Sequence, residues 1–134
     1  MAVRVKKLFM LGALLAGLTV SSAPVSAREA VTIRFHYSHF EPSVVTVPAG
    51  VQVTVTLRND DPIDHEWIVG PPAVHEVHRH GTEAVHAGRA TEVTVPALST
   101  RTTTITFDDP GEYAYICHLP RHEEYGMKGI MVAR

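Results

Sequence analysis

With 134 residues, 45% of them hydrophobic and 19% charged, the chain has room for one ordinary domain with an apolar core, and it shows no solenoid-length repeat. Its 12 Lys and Arg stand against 14 Asp and Glu, and three of the basic residues fall within residues 1–27, so the remainder is distinctly acidic. That balance argues against nucleic acid or an acidic membrane surface as the main partner.

Arg4, Lys6 and Lys7 form a basic start, residues 8–20 are almost wholly apolar, and small residues lead to Val25-Ser26-Ala27. A secretory signal peptide has this order, so cleavage is expected after Ala27, leaving residues 28–134 as a single exported domain. The apolar run is short for a bilayer crossing, and no membrane span is expected in the mature chain. Periplasm, extracellular space or cell surface is the expected location. The sole cysteine is Cys117. In an oxidising compartment a lone thiol has no internal partner, which leaves it buried and inert, paired to another chain, or bound to a metal.

Beyond residue 28 the pattern is that of strands. Val31, Ile33 and Phe35 alternate over residues 31–37, and Val45 and Val47 begin a second strand that Pro48-Ala49-Gly50 interrupts. Residues 51–57 alternate apolar and polar until Asn59-Asp60-Asp61-Pro62 supplies turn chemistry. A short apolar strand follows over residues 66–69 and ends at Gly70-Pro71-Pro72. Residues 73–89 lose the alternation and are rich in histidine, which reads as a long excursion with some helix. Strand pattern returns at 92–95, 102–107, 112–117 and 128–132. Eight short β segments between turn signals make an all-β, antiparallel sandwich or barrel the expected architecture. Phe35 and Trp67 are expected in its core.

The chemistry gathers near the C-terminus. A two-residue period puts Tyr113, Tyr115 and Cys117 on one strand face, so Cys117 should point inward at the strand's end. The following loop carries His122 and Met127. Thiolate, imidazole and thioether are soft or borderline donors that suit copper rather than magnesium or calcium. A fourth donor must come from elsewhere, and His65 sits after a turn near the start of an earlier strand. Two histidines, a cysteine and a distant axial methionine make a blue-copper electron-transfer site.

Tyr115-Ile116-Cys117, His122 and Met127-Lys128-Gly129 resemble the copper loop of cupredoxins, the plastocyanin, azurin and rusticyanin family. Residues 45–57, followed by Asn59-Asp60 and His65, are similar to that family's approach to its first histidine. The resemblance covers residues 31–134 apart from the histidine-rich excursion. It implies a Greek-key β-sandwich that binds one type 1 copper ion, with His65, Cys117 and His122 as equatorial ligands and Met127 as the axial one. One departure concerns the neighbours of the first histidine. Azurins and plastocyanins commonly carry asparagine or serine there, whereas this chain has Asp64 and Glu66, so the surroundings of the thiolate should differ.

The other histidines are expected to do less. His118, next to Cys117, should face away from the metal as a surface or hydrogen-bonding residue, and His36 and His39 should face solvent. His75, His78, His80 and His86 either form a second copper or zinc site or are simply solvated. The resulting expectation is a monomeric electron carrier that meets redox proteins transiently. Copper delivery, storage or detoxification is the alternative. The Cys117-His118 pair also resembles the corresponding loop of multicopper oxidases, but Ile116 precedes it and one domain cannot supply that cluster's paired histidines. No enzymatic activity is expected.

Overall fold

A computed structural model describes residues 29–82 and 88–134. Both the expected signal segment, residues 1–27, and His86 lie outside these described residues. The strands are β1 (Glu29–His36), β2 (His39–Glu41), β3 (Val44–Val47), β4 (Val53–Asn59), β5 (His65–Gly70), β6 (Glu92–Val95), β7 (Thr100–Ile105), β8 (Gly111–Ile116) and β9 (Lys128–Ala133). One helix, α1 (Pro72–His80), lies between β5 and β6.

Alternation along the strands creates two layers. In β4, Val53, Val55 and Leu57 point inward while Thr54 and Thr56 are half-buried; in β3, Val45 and Val47 are buried between exposed Val44 and Thr46. The four-stranded sheet runs β2-β1-β4-β7 and the five-stranded sheet β3-β9-β8-β5-β6. Between them lie Ile33, Phe35, Val55, Leu57, Trp67, Tyr115 and Met131, all fully buried. Phe35 and Trp67 occupy the core as expected. Among the described residues no helix is long and apolar enough to cross a membrane.

The β-sandwich is as the sequence led us to expect, but its sheets are mixed rather than purely antiparallel. β1 pairs with β4 in parallel, bringing Ile33 beside Leu57, and β3 pairs with β9 in parallel, bringing Val45 beside Met131. The other ladders are antiparallel. Two-residue periodicity reports which face is buried and carries no information on strand direction.

Two elements differ from the expectation for local reasons. β2 follows a tight turn at Tyr37-Ser38, where both residues take positive φ (52° and 55°). The residues that normally announce such a turn, Asn-Gly or Asp-Gly, are missing. α1 was expected only as part of an irregular stretch. Its ends follow ordinary helix rules: Pro72 stands in the first turn, and Gly81 in left-handed conformation returns its N–H to the carbonyl of His78. Its inward face, however, is made of His75 and His78, so it has no apolar stripe to read. With α1 on its outer side, β5 is buried along its whole length.

One close approach fixes the β8–β9 register. Gly129 pairs with Tyr115, whose ring lies across it, and the Tyr115 hydroxyl donates to the Pro42 carbonyl at 2.7 Å. A β-carbon at position 129 would overlap the ring carbons. Gly129→Ala should therefore displace Tyr115 and destabilise the fold by about 1–3 kcal/mol in chemical denaturation, as overpacking of a tight core does. An unchanged midpoint would show that Tyr115 can move without loss.

Candidate metal centre

One end of the sandwich gathers the donors. His65 opens β5, Cys117 directly follows β8, and His122 and Met127 lie in the loop between β8 and β9. Nested backbone bonds tighten that loop. The Cys117 N–H donates to the Met127 carbonyl (3.2 Å), the Met127 N–H to the His122 carbonyl (3.0 Å), and the His122 N–H to the Leu119 carbonyl (3.0 Å). Three donor-bearing residues of one short loop are thus tied to one another through their main chain. The antiparallel pairing of β5 with β8 then brings the start of β5 alongside.

The side chains converge. His65 Nδ1 lies 3.2 Å from His122 Nδ1, which lies 3.2 Å from Cys117 Sγ. Among the described residues, His65, Cys117 and His122 are the set of three whose possible ligand atoms all lie within 4.8 Å of one another. His65, Cys117 and Met127 are fully buried, and His122 keeps a partly exposed edge. The Phe35 ring packs edge-on against His65 at 5.9 Å between centroids, giving the site an apolar wall.

Burial keeps the donors in their uncharged forms. Burial pushes the Cys117 thiol up to about 11, against main-chain bonds at Glu66 and Leu119 that work the other way. Burial, and next the neighbouring His65, hold His122 below the ordinary imidazole range, so its ring is neutral with a free lone pair. A metal ion inverts this logic for the sulfur, because a coordinating thiol is deprotonated outright. Two imidazoles and a latent thiolate suit copper well, and a thioether beside them would complete the set.

Asp64 and Glu66, the two neighbours of His65, act in different ways. The Asp64 carboxylate accepts from the Ala97 N–H at 2.9 Å and thereby braces a neighbouring loop. At Glu66 it is the main chain that faces the sulfur: its N–H donates to Cys117 Sγ at 3.3 Å. Asp61, read from sequence only as part of a turn, meets His65 Nε2 with Oδ2 at 2.8 Å. Burial opposes its ionisation, yet bonds from the Ser38 N–H, His65 and the Tyr37 N–H hold its carboxyl below the usual range. An aspartate four residues before a candidate histidine was the available signal.

His118 points away from this centre and is a half-buried residue with a covered, hydrogen-bonding side chain. Its Nε2 lies 2.9 Å from His75 Nδ1, and its ring stacks on His78 at 5.5 Å between centroids. His75 Nε2 donates to the Ala114 carbonyl of β8, so α1 is attached to the sheet through imidazoles. His80 is exposed and bonds Glu76. His39 faces solvent as expected, while His36 is half-buried against the Tyr37 ring.

Comparison with known proteins identifies the family and the fold. The cupredoxin-like domain family matches residues 7–133. The chain is 30% identical over 99 residues to the copper-resistant cuproprotein CopI of Rubrivivax gelatinosus, a match covering 71% of this chain and 59% of that protein. This chain thus spans less than two thirds of that relative's length. Among solved structures, dithionite-reduced auracyanin from Roseiflexus castenholzii aligns with a TM-score of 0.67 at 23% identity, covering 81% of this chain and 98% of that one. Auracyanin A, a "blue" copper protein of Chloroflexus aurantiacus, aligns with a TM-score of 0.63 at 23% identity, covering 81% and 100%. At such identities the likeness establishes the fold.

The buried imidazoles make stability depend on pH. Burial lowers His75 and, with the nearby His75 charge as the next cause, pushes His118 down to about 4. In the unfolded chain the same groups take up protons near pH 6.5. Stability is therefore intact above that pH and is lost as pH falls from there through about 4. Urea unfolding of the metal-free protein should show a decline on the order of 2 kcal/mol across this window. His118→Gln should flatten the slope; a wild-type profile already flat between pH 7 and 4 would contradict the assignment.

Proposed function

Because the chain belongs to the cupredoxin-like domain family, we propose that it is an exported blue-copper protein that binds one type 1 copper ion and carries single electrons between redox partners. The observation that carries this proposal is the convergence of His65 Nδ1, His122 Nδ1 and Cys117 Sγ at a largely buried end of the sandwich. In it these three residues are the equatorial ligands and Met127 the axial one. Bound there, copper supplies one-electron chemistry between its cupric and cuprous states.

The protein's own contribution is rigidity and access. His65 is anchored by β5, and Cys117 by β8 and by the Glu66 N–H, so neither donor can follow a change in preferred geometry far. A site that moves little on redox exchanges its electron with a low barrier. His122, with its partly exposed edge, gives the electron the shortest way to a docked protein. The proposal includes no enzymatic turnover, a monomeric state, and a location in the periplasm or outside the cell. Its partners are redox proteins met transiently.

Copper delivery, storage or detoxification is a second reading, favoured by the 30% identity to a copper-resistant cuproprotein. The two differ in what happens to the metal. A carrier retains its ion through repeated reduction and oxidation, whereas a delivery protein releases it in one state, which metal analysis after redox cycling distinguishes.

Addition of one equivalent of Cu(II) should give an intense thiolate-to-copper visible band. Cys117→Ser should abolish that band while preserving the β-sheet circular dichroism, since the core does not depend on the sulfur. A blue Cys117→Ser variant would overturn the ligand assignment. Met127→Leu roughly conserves volume and should lower stability by less than about 1.5 kcal/mol. It removes a donor that favours the oxidised ion, so the reduction potential should rise, by about 59 mV for a tenfold shift in the redox equilibrium. Identical voltammograms for wild type and Met127→Leu would place the thioether away from the metal.

A further inference from the structure

Among the described residues four non-glycine positions have a left-handed backbone: Tyr37, Ser38, Leu98 and Arg121. Three of these four are bonded to one residue. Asp61 Oδ1 accepts from the Tyr37 N–H (2.7 Å), Asp61 Oδ2 from the Ser38 N–H (2.8 Å), and the Asp61 carbonyl from the Leu98 N–H (3.0 Å). Each such conformation is strained and persists only where its surroundings enforce it. The enforcing residue is itself held: Asn59 Oδ1 accepts from the Asp61 N–H at 3.0 Å, and Asn59 Nδ2 donates to the Ile63, Val95 and Pro96 carbonyls. Asn59 and Asp61 are both buried.

The same carboxylate oxygen that receives the Ser38 N–H lies 2.8 Å from His65 Nε2. An ionised carboxylate is an acceptor only, so the proton of a neutral His65 ring sits on Nε2 and the lone pair on Nδ1. Nδ1 is the atom that faces His122 and Cys117. We propose that Asp61 is a positioning residue of the metal centre: its carboxylate fixes the tautomer and orientation of His65, and the strained Tyr37-Ser38 turn exists to hold that carboxylate in place. This rests on the copper-binding reading of the site. Partners of this kind outside the ligands typically change metal affinity 10–100-fold when removed. Negative charge one imidazole away from the metal also favours its more highly charged state.

The plainer alternative is that Asp61 only caps a turn and its contact with His65 is incidental. Asp61→Asn separates the two when His65 is observed without any metal. Nitrogen-15 NMR of the metal-free wild type should show the Nε2-protonated ring; in Asp61→Asn the tautomer ratio should shift at least tenfold toward the Nδ1-protonated form. Zn(II), used as a redox-silent probe, should bind 10–100-fold more weakly. In the copper-loaded protein the redox equilibrium should shift about tenfold toward the reduced state, equivalent to about 59 mV.

Because Asp61→Asn also weakens the turn, the triple variant Asp61→Asn, Tyr37→Gly, Ser38→Gly is the control, glycine tolerating positive φ. If stability returns while the tautomer and Zn(II) affinity stay altered, Asp61 positions His65. If all three return together, or if Asp61→Asn alone leaves the tautomer unchanged, the proposal is overturned and Asp61 is a turn cap. The tautomer is read in the absence of metal, so a protein that fails to turn blue would refute the copper reading without deciding this one.

Discussion

Two imidazole nitrogens and a thiol sulfur within 4.8 Å of one another, at the buried end of an apolar sandwich, form an arrangement that a polypeptide has little reason to build for itself. Each polar atom placed there loses water, and each wants a partner of the opposite kind. The three donors offer one another mostly lone pairs. A cation resolves the conflict at once, accepting from all of them and turning the buried thiol into a thiolate. Much of the rest of the structure can be understood as what keeps these donors from relaxing apart. The main-chain bond between Cys117 and Met127 closes the loop, the β5–β8 ladder fixes where His65 starts, and the Gly129 gap lets Tyr115 lie flat beneath.

The sandwich supplies stiffness in two different ways. Between the sheets it is conventional, with large apolar side chains filling the space. Around β5 it is not, because that strand is buried on both sides and its outer cover is a helix that turns His75 and His78 inward and bonds β8 through His75. Polar contacts there add to the packing of Val74 on Gly70, and they come with a directionality that apolar contacts lack.

What the sequence disclosed depended on whether the information was local. Residues 53–57 alternate so regularly that their strand and its inward face were plain, and Cys117, His122 and Met127 share one loop, so their common destination followed from spacing. The parallel pairing of β1 with β4 was invisible, since strand direction leaves no trace in a period of two. α1 was obscured because its buried face is histidine, although Pro72 and Gly81 mark its ends. The link of Asp61 to His65 spans only four residues, yet its meaning comes from Tyr37 and Ser38, more than twenty residues earlier. No reading of the Asn59-to-Pro62 segment alone could separate an ordinary turn from a brace for a donor.

The imidazole attachment of α1 also bears on how the molecule breathes. A helix tied to the sheet by the His75 bond to β8 and to the following loop by the Arg79–Glu123 ion pair is a separate cooperative unit with an opening free energy below that of the whole sandwich. Amide protons of residues 73–80 would then exchange with solvent through an excursion in which the helix lifts while both sheets remain intact. The outer face of β5 would be wetted during each such excursion, and the inner face, which carries Trp67 into the core, would not.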